Sequence, residues 1–239
     1  MKQKIVSILV LVLVIIFGFS VYNKSSNLSV TRENKAEPII MIGASLPLTG
    51  ASASIGERVK AGFDIAVEEV NKKYPFDFKL VYEDDRGDAK TAVSVANKLI
   101  SVDGVKMIVG EIKSDPLLAV APITEQNKVI LFSATAGAAG ISQAGDYVFR
   151  NIEKPEAHGE GATDFFIKSG VKKVALFIAQ ASNAQSYGKV FQEKFEQAGG
   201  KISLLVNYQP DSTDFRTDIA KANVSGREGV YLAVATAKD

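Results

Sequence analysis

The chain has no cysteine among its 239 residues. That excludes disulfides, thiolate metal sites, a cysteine nucleophile and a lipid-modified cysteine. It has one histidine, His158, so a mechanism needing several imidazoles is excluded as well. Neither sign of charge dominates, because the formal net charge is +1. No general electrostatic case exists for nucleic acid or for an acidic partner. Several chemistry-bearing motifs are also missing. There is no G-x-G-x-x-G, and Gly43, Gly50 and Gly56 have the wrong spacing for a dinucleotide fingerprint. No Walker A and no G-x-S-x-G occur, so nucleotide and serine hydrolysis lack their usual devices. The acidic run from Glu83 to Asp88 does not match a calcium-binding EF-hand loop. It reads as a solvated turn in which Asp88 caps a helix. No cofactor and no metal site is implied.

What is present is core-forming material. Apolar residues make up 46% of the chain, enough for one large or two small domains. Lys2 and Lys4 precede an apolar run from Ile5 to Tyr22, near the lower length for spanning a bilayer. No A-x-A site follows it, so residues 1–22 are expected to be an uncleaved signal anchor rather than a cleaved signal peptide. The rest of the chain is then extracytoplasmic and attached to the membrane through this segment. Residues 23–37 are polar and aperiodic and read as a linker.

Beyond Pro38, strand and helix patterns alternate. Strands are expected at Ile39–Ala44, Phe78–Glu83, Val105–Gly110, Val129–Ser133 and Tyr147–Arg150. Helices are expected at about Glu57–Lys73, Ala89–Ser101 and from Ser114-Asp115-Pro116 to Gln126. In the first helix, Val59, Phe63, Ala66, Val67 and Val70 share a face. A second block begins near Pro155. It predicts helices at Glu156–Ser169, Tyr187–Ala198 and Asp214–Ala222, and strands at Lys173–Ala179, Lys201–Tyr208 and Gly229–Ala235. Gln180 to Ser186 reads as a polar loop. Such alternation predicts an α/β protein with two doubly wound parallel-sheet lobes, residues 38–154 and residues 155–239, the second incomplete.

The stretch from Lys106 to Gly137 organises the rest. A strand runs into a glycine turn and then into Ser114-Asp115-Pro116, a helix start with a capping side chain and proline at the first position. The following strand ends in Thr135-Ala136-Gly137. Two strand ends and a helix N-terminus meet at one edge, which suits a carboxylate or phosphate. Ordinary capping in any α/β domain explains the same residues. Tyr187 lies after a polar loop at a strand end, where it either stacks on a ligand or anchors its helix. His158 reads as a surface histidine.

Taken together, IGASLPLTG (Ile42–Gly50), GERVKAGFDIAVEEVN (Gly56–Asn71), YEDDRGDAKTAVSVANKLI (Tyr82–Ile100), VKMIVGEIKSDPLLAVAPI (Val105–Ile123), VILFSATA (Val129–Ala136) and SYGKVFQEKF (Ser186–Phe195) resemble, in order, the type I periplasmic binding proteins. The nearest group is the leucine/isoleucine/valine-binding branch of ABC-importer receptors. The resemblance implies two lobes with ligand in the cleft between them. It implies carboxylate contacts at Ser114 and at Thr135, Ala136 and Gly137, and an aromatic contact at Tyr187. It also implies an amino-acid ligand and ABC permease partners. Departures are visible. The family often has threonine or serine where Gly137 stands, and tyrosine where Ile55 stands. An acidic residue pairing with a ligand ammonium would lie beyond Asp239.

Three functions follow from these readings. The first is a non-enzymatic solute-binding protein of an ABC importer, for a branched-chain or related amino acid. The second is a membrane-anchored sensory ectodomain on the same fold. The third is an α/β hydrolase-type enzyme using Ser114 or His158, for which no base–nucleophile pair is visible.

Overall fold

The computed structural model describes residues 39–234. The apolar N-terminal run and its linker lie outside the described residues, as does the last residue of the final expected strand, Ala235. Among the described residues, no helix is long and apolar enough to cross a membrane.

Among the described residues, eight strands form two sheets. The first sheet holds β1 (Ile39–Leu46), β2 (Asp77–Asp84), β3 (Met107–Gly110), β4 (Ile130–Ser133) and β5 (Val148–Arg150) in the order β2-β1-β3-β4-β5. The second holds β6 (Lys173–Ala179), β7 (Lys201–Tyr208) and β8 (Gly229–Ala233) in the order β7-β6-β8. Every pairing is parallel. Parallel neighbours need crossovers, and helices supply them. These are α1 (Ala53–Lys73), α2 (Ala89–Ser101), α3 (Ser114–Asn127), α4 (Pro155–Lys168), α5 (Ser182–Gln197) and α6 (Arg216–Val224). The doubly wound α/β prediction holds for both sheets. Asn151 to Lys154 is the covalent link from β5 to α4, and so from the first sheet to the second.

Each sheet has its own core. Leu99, Ile108, Leu117, Val120 and Leu131 are completely buried around the first. Val174, Leu176, Phe191 and Phe195 are completely buried around the second. Phe191 stacks between Phe195 and Tyr231, with ring centroids 5.2 Å and 4.1 Å away. The buried middle strand β6 reads as a continuous apolar run, as a strand covered on both faces must.

Several boundaries differ from the sequence expectation. The turn expected over Ser45–Gly56 is shorter, because β1 continues to Leu46 and a 3-10 turn at Gly50–Ser52 leads into α1 at Ala53. Ser52 is buried, and Gly56 packs so closely that a Cβ there would lie 2.1 Å from the Pro47 carbonyl oxygen. On α1, Val59, Phe63, Val67 and Val70 are half-buried as a face, but Ala66 is exposed. Helix α3 does not start as predicted. Its cap is Lys113, without a side-chain cap bond, and Pro116 is the third helical residue. The Ser114 hydroxyl is engaged elsewhere, and proline is still tolerated because first-turn N–H groups have no intrahelical partner. The loop expected over Gln180–Ser186 is mostly helix, since α5 begins at Ser182. Its polar side chains find local acceptors: Ser186 donates to the Ser182 carbonyl at 2.7 Å and Gln185 to the Ala179 carbonyl at 3.2 Å.

Candidate functional site

In the first sheet the chain passes from β1 to β2 on one side and then to β3 on the other. A crevice opens at such a switch, outside the carboxyl ends of the strands. Here those ends are Ser45-Leu46 on β1 and Gly110 on β3, paired at Ser45 and Gly110. Gly110 has φ +126, and a Cβ there would meet the Ser45 carbonyl oxygen at 2.0 Å. Only glycine fits that torsion and that approach. The turn continues through Glu111, itself left-handed at φ 48, whose N–H donates to the Ser45 carbonyl at 3.0 Å. It then delivers the chain to Ser114 at the start of α3.

The loop after β4 is stitched to that turn. Ser133 donates to the Glu111 carbonyl at 3.1 Å and accepts the Ala136 N–H at 3.1 Å. Thr135 donates its hydroxyl to the Ile112 carbonyl at 2.9 Å. The Ala138 N–H donates to the Ser114 hydroxyl at 3.1 Å. A serine hydroxyl that accepts one bond keeps a proton to donate. Ser114 therefore retains a donor, whereas the Thr135 proton and the Ala136 N–H are already committed. Ser114 and Ala136 are buried, and Thr135 is exposed.

The second sheet brings its own strand ends to the same place. Gln180 follows β6, and its N–H donates to the Tyr208 carbonyl at the end of β7 at 2.8 Å. A cavity of about 340 Å³ is lined by Ile55, Gly87, Asp88, Lys113, Ser114, Asp115 and Thr135 from the first half of the chain. Gln180, Ala181, Asn183 and Pro210 line it from the second half. The carboxyl ends of both sheets thus face one space. Of the predicted residues, Ser114 and Thr135 line it. Ala136, Gly137 and Tyr187 do not line it; Gly137 and Tyr187 meet each other, and His158 lies against Tyr187 with ring centroids 4.8 Å apart. A separate cavity of about 780 Å³, lined by Ala138, Ser186 and Asn207 among others, also involves Asp115, Gln180 and Ala181.

The acidic turn is more than a solvated cap. Asp88 does cap α2, accepting the Thr91 N–H at 2.8 Å. Asp84, however, accepts from the Leu48 N–H at 2.9 Å, the Thr49 N–H at 3.2 Å, the Thr49 hydroxyl at 2.5 Å and the Arg86 N–H at 2.9 Å. Burial works against its charge, yet the Thr49 hydroxyl and these backbone donors hold its pKa below the usual carboxylate range. Asp84 so ties the loop after β1 to the loop after β2. Asp84→Ala removes the acceptor of all four bonds. We expect a loss of about 1 kcal/mol, and faster amide exchange at Leu48 and Thr49. Wild-type stability from this group is present above the unfolded pKa and lost as pH falls through the folded one. Unchanged exchange at both amides would count against this role.

Asp85 and Glu111 are buried beneath the same turn, 1% and 0% exposed. Asp85 accepts the Gly87 N–H at 2.6 Å and the Ser45 hydroxyl at 3.3 Å. Burial raises its pKa, against the pull of those two donors. Neither Glu111 carboxylate oxygen has a hydrogen-bond partner. Burial, and then the charge of Asp85, push Glu111 up to about 8. Glu111 is therefore a neutral acid at neutral pH. The sequence places Asp85 in a run that reads as a solvated turn, which its burial corrects, and Glu111 drew no reading. The available signal was an acid directly after the strand-ending glycine and before apolar Ile112.

Comparison with known proteins bears on this geometry. The periplasmic binding protein family model matches residues 39–238. A Leu/Ile/Val-binding protein homolog from Brucella melitensis is 31% identical over 202 residues, covering 81% of this chain and 54% of the relative. A leucine-, isoleucine-, valine-, threonine- and alanine-binding protein from Pseudomonas aeruginosa is 30% identical over 205 residues, covering 82% and 54%. Among solved structures, a leucine binding protein from Thermotoga maritima superposes with a TM-score of 0.75 at 27% identity, covering 81% of this chain and 55% of that one. A solute binding protein from R. palustris in complex with 4-hydroxybenzoate superposes with a TM-score of 0.77 at 24% identity, covering 81% and 53%. The chain spans about half the length of the curated relatives it matches. Two parallel sheets with their strand ends turned to one cavity, and a family match over all the described residues, lead to one conclusion: the chain belongs to the periplasmic binding protein family and has the type I fold.

Proposed function

We propose that this protein binds a small carboxylate solute, with a branched-chain or related amino acid as first choice, and delivers it to an ABC importer. The supporting observation is the cavity of about 340 Å³ where Ser114 at the start of α3 meets Thr135 and the strand ends of the second sheet. That volume suits a small ligand. The positive end of α3 and the Ser114 hydroxyl proton would hold the carboxylate. Residues 38–154 and 155–239 then act as two lobes, and Tyr187 reaches from the second toward the first. The relatives named for leucine, isoleucine and valine support the amino acid. The R. palustris neighbour holds 4-hydroxybenzoate, which shares only the carboxylate. Capture rather than catalysis fits Ser114, whose hydroxyl meets a backbone N–H and not a general base. The proposed working place is outside the cytoplasmic membrane, held there by the N-terminal segment and serving permease subunits.

Calorimetry with leucine, isoleucine, valine and 4-hydroxybenzoate tests the reading. Ser114→Ala should weaken binding roughly 10- to 100-fold, because a hydrogen bond to a charged group is worth about 1.5–3 kcal/mol. Thr135→Ala should weaken it less, since its proton already serves Ile112. Ser114→Ala also strips the partner from the buried Ala138 N–H. A stability loss of about 1–3 kcal/mol should accompany it, so titrations belong well below the melting transition. Unchanged affinity in a folded Ser114→Ala protein would remove the carboxylate from this site.

A further inference from the structure

Gly137 does not need to be glycine for its backbone. Its φ lies outside the left-handed range, unlike that of Gly110. The requirement is for space. A Cβ at Gly137 would lie 1.7 Å from the Tyr187 hydroxyl oxygen and 2.8 Å from Cζ. No side chain fits while the phenol is there. Tyr187 stands on α5, beside β6, whereas Gly137 follows β4. The phenol is braced from a third element, because the His158 ring on α4 lies 4.8 Å from it at a 50° tilt. Two neighbours of Tyr187 on α5 also cross over. The Ser186 hydroxyl accepts the Ala139 N–H at 3.0 Å, and the Ser182 hydroxyl donates to Asp115. Ser182 and Ser186 are four apart, so they share a helix face. Tyr187 is the one large side chain in this set.

We propose that Gly137 is a notch for the Tyr187 phenol, and that the pair sets how closely the two lobes approach. Tyr187 is the tooth, His158 keeps its ring upright, and the bare backbone of Gly137 receives its tip. Any side chain at position 137 would hold the lobes apart and widen the cavity beside Thr135. Gly137 is thus a positioning residue that limits ligand size without touching the ligand. This inference rests on the two-lobe reading above, but on no particular ligand.

Pulsed electron resonance distances test it directly. The chain has no native cysteine, so labels attach only where they are introduced. Lys72→Cys on α1 and Lys168→Cys on α4 replace exposed side chains, 70% and 77% accessible. The otherwise wild-type protein should show a short-distance population. Gly137→Ala should lose it, with longer and broader distances. In a Tyr187→Ala background, adding Gly137→Ala should change nothing. An equal shift in both backgrounds, or no shift in the first, overturns the proposal. If Gly137→Ala alone is unfolded by far-UV circular dichroism, Gly137→Ala with Tyr187→Ala must fold; if both are unfolded, the proposal also fails. Distances are read without ligand. The expected distance pattern with no solute binding would sink the solute-binding reading and leave the notch standing.

Discussion

Replacing Glu111 with glutamine should stabilise the protein at neutral and alkaline pH and flatten its stability profile. The wild-type carboxyl is fully buried, has no hydrogen-bond partner and is pushed up to about 8 by burial and by Asp85. In the unfolded chain its pKa returns to about 4.5, so between these values the folded state holds a proton that the unfolded state has released. Stability then falls as pH rises, by up to about 1.4 kcal/mol per pH unit across that window. Below the window the contribution is fully present, and above it the loss is complete. Glutamine has nearly the same shape and never ionises. Its amide can also donate toward the Asp85 and Ser45 side, where the wild type offers a donor only when protonated. Urea midpoints measured from pH 5 to pH 9 should diverge steadily between the two proteins up to about pH 8. Parallel profiles would mean that Glu111 is already ionised in the folded state. The assignment of a neutral acid beneath the turn after β3 would then be wrong.

Gly110→Ala should be among the most damaging single-methyl additions to this chain. Two penalties coincide there. The torsion, φ +126, is one that residues with a Cβ rarely adopt. The methyl would also sit 2.0 Å from the Ser45 carbonyl oxygen and 3.0 Å from its carbon, both backbone atoms of the neighbouring strand. Relief requires β1 and β3 to part at the level where Ser45 pairs with Gly110. A loss on the order of 4 kcal/mol or more is expected. Gly62→Ala is the matched control. Gly62 lies within α1 with nothing inside 4 Å of its added methyl, so the same change should stabilise by about 0.5–1 kcal/mol. Paired urea melts decide the matter. A Gly110→Ala midpoint equal to wild type would show that the strand edge tolerates the methyl, and the tight turn into Glu111 would need another explanation.

Where partners are local, the sequence was legible. Helix α2 runs from Ala89 to Ser101 as expected, because the Asp88 cap and the apolar spacing of Ala92, Val95, Ala96 and Leu99 are both written within a few turns. Strands β6 and β7 also match to the residue, each bounded by polar or glycine punctuation. Misreadings arose where a side chain answers to something distant. Ser114 looks like a cap, but its hydroxyl serves Ala138 in the loop after the neighbouring strand β4. Ser182 to Ser186 looks like a loop by composition, yet those hydroxyls bond along the helix and to the first half of the chain. Asp85 looks solvated because it sits in an acidic run, and Glu111 carries no motif that marks it. Their burial follows from the fold of Gly110 under β1, which no local window contains. The candidate site was legible in outline, since a strand end, a glycine and a hydroxyl at a helix start sit close in sequence. The Gly137–Tyr187 approach was not, because it joins residues from opposite halves.

The four-residue passage from Asn151 to Lys154 acts on this architecture as a tether. Short flexible tethers keep the groups they join at an effective concentration of about millimolar. Encounter between the halves is therefore cheap, and weak contacts suffice to register it. A phenol in a notch and two serine hydroxyls form such a set. Stiffening the tether would raise or abolish that local concentration according to the angle it imposed. Lengthening it would dilute the halves only slowly, because closure entropy grows with the logarithm of loop length. If the halves work as the two proposed lobes, the passage would govern how often they meet, while the side chains would decide what happens when they do.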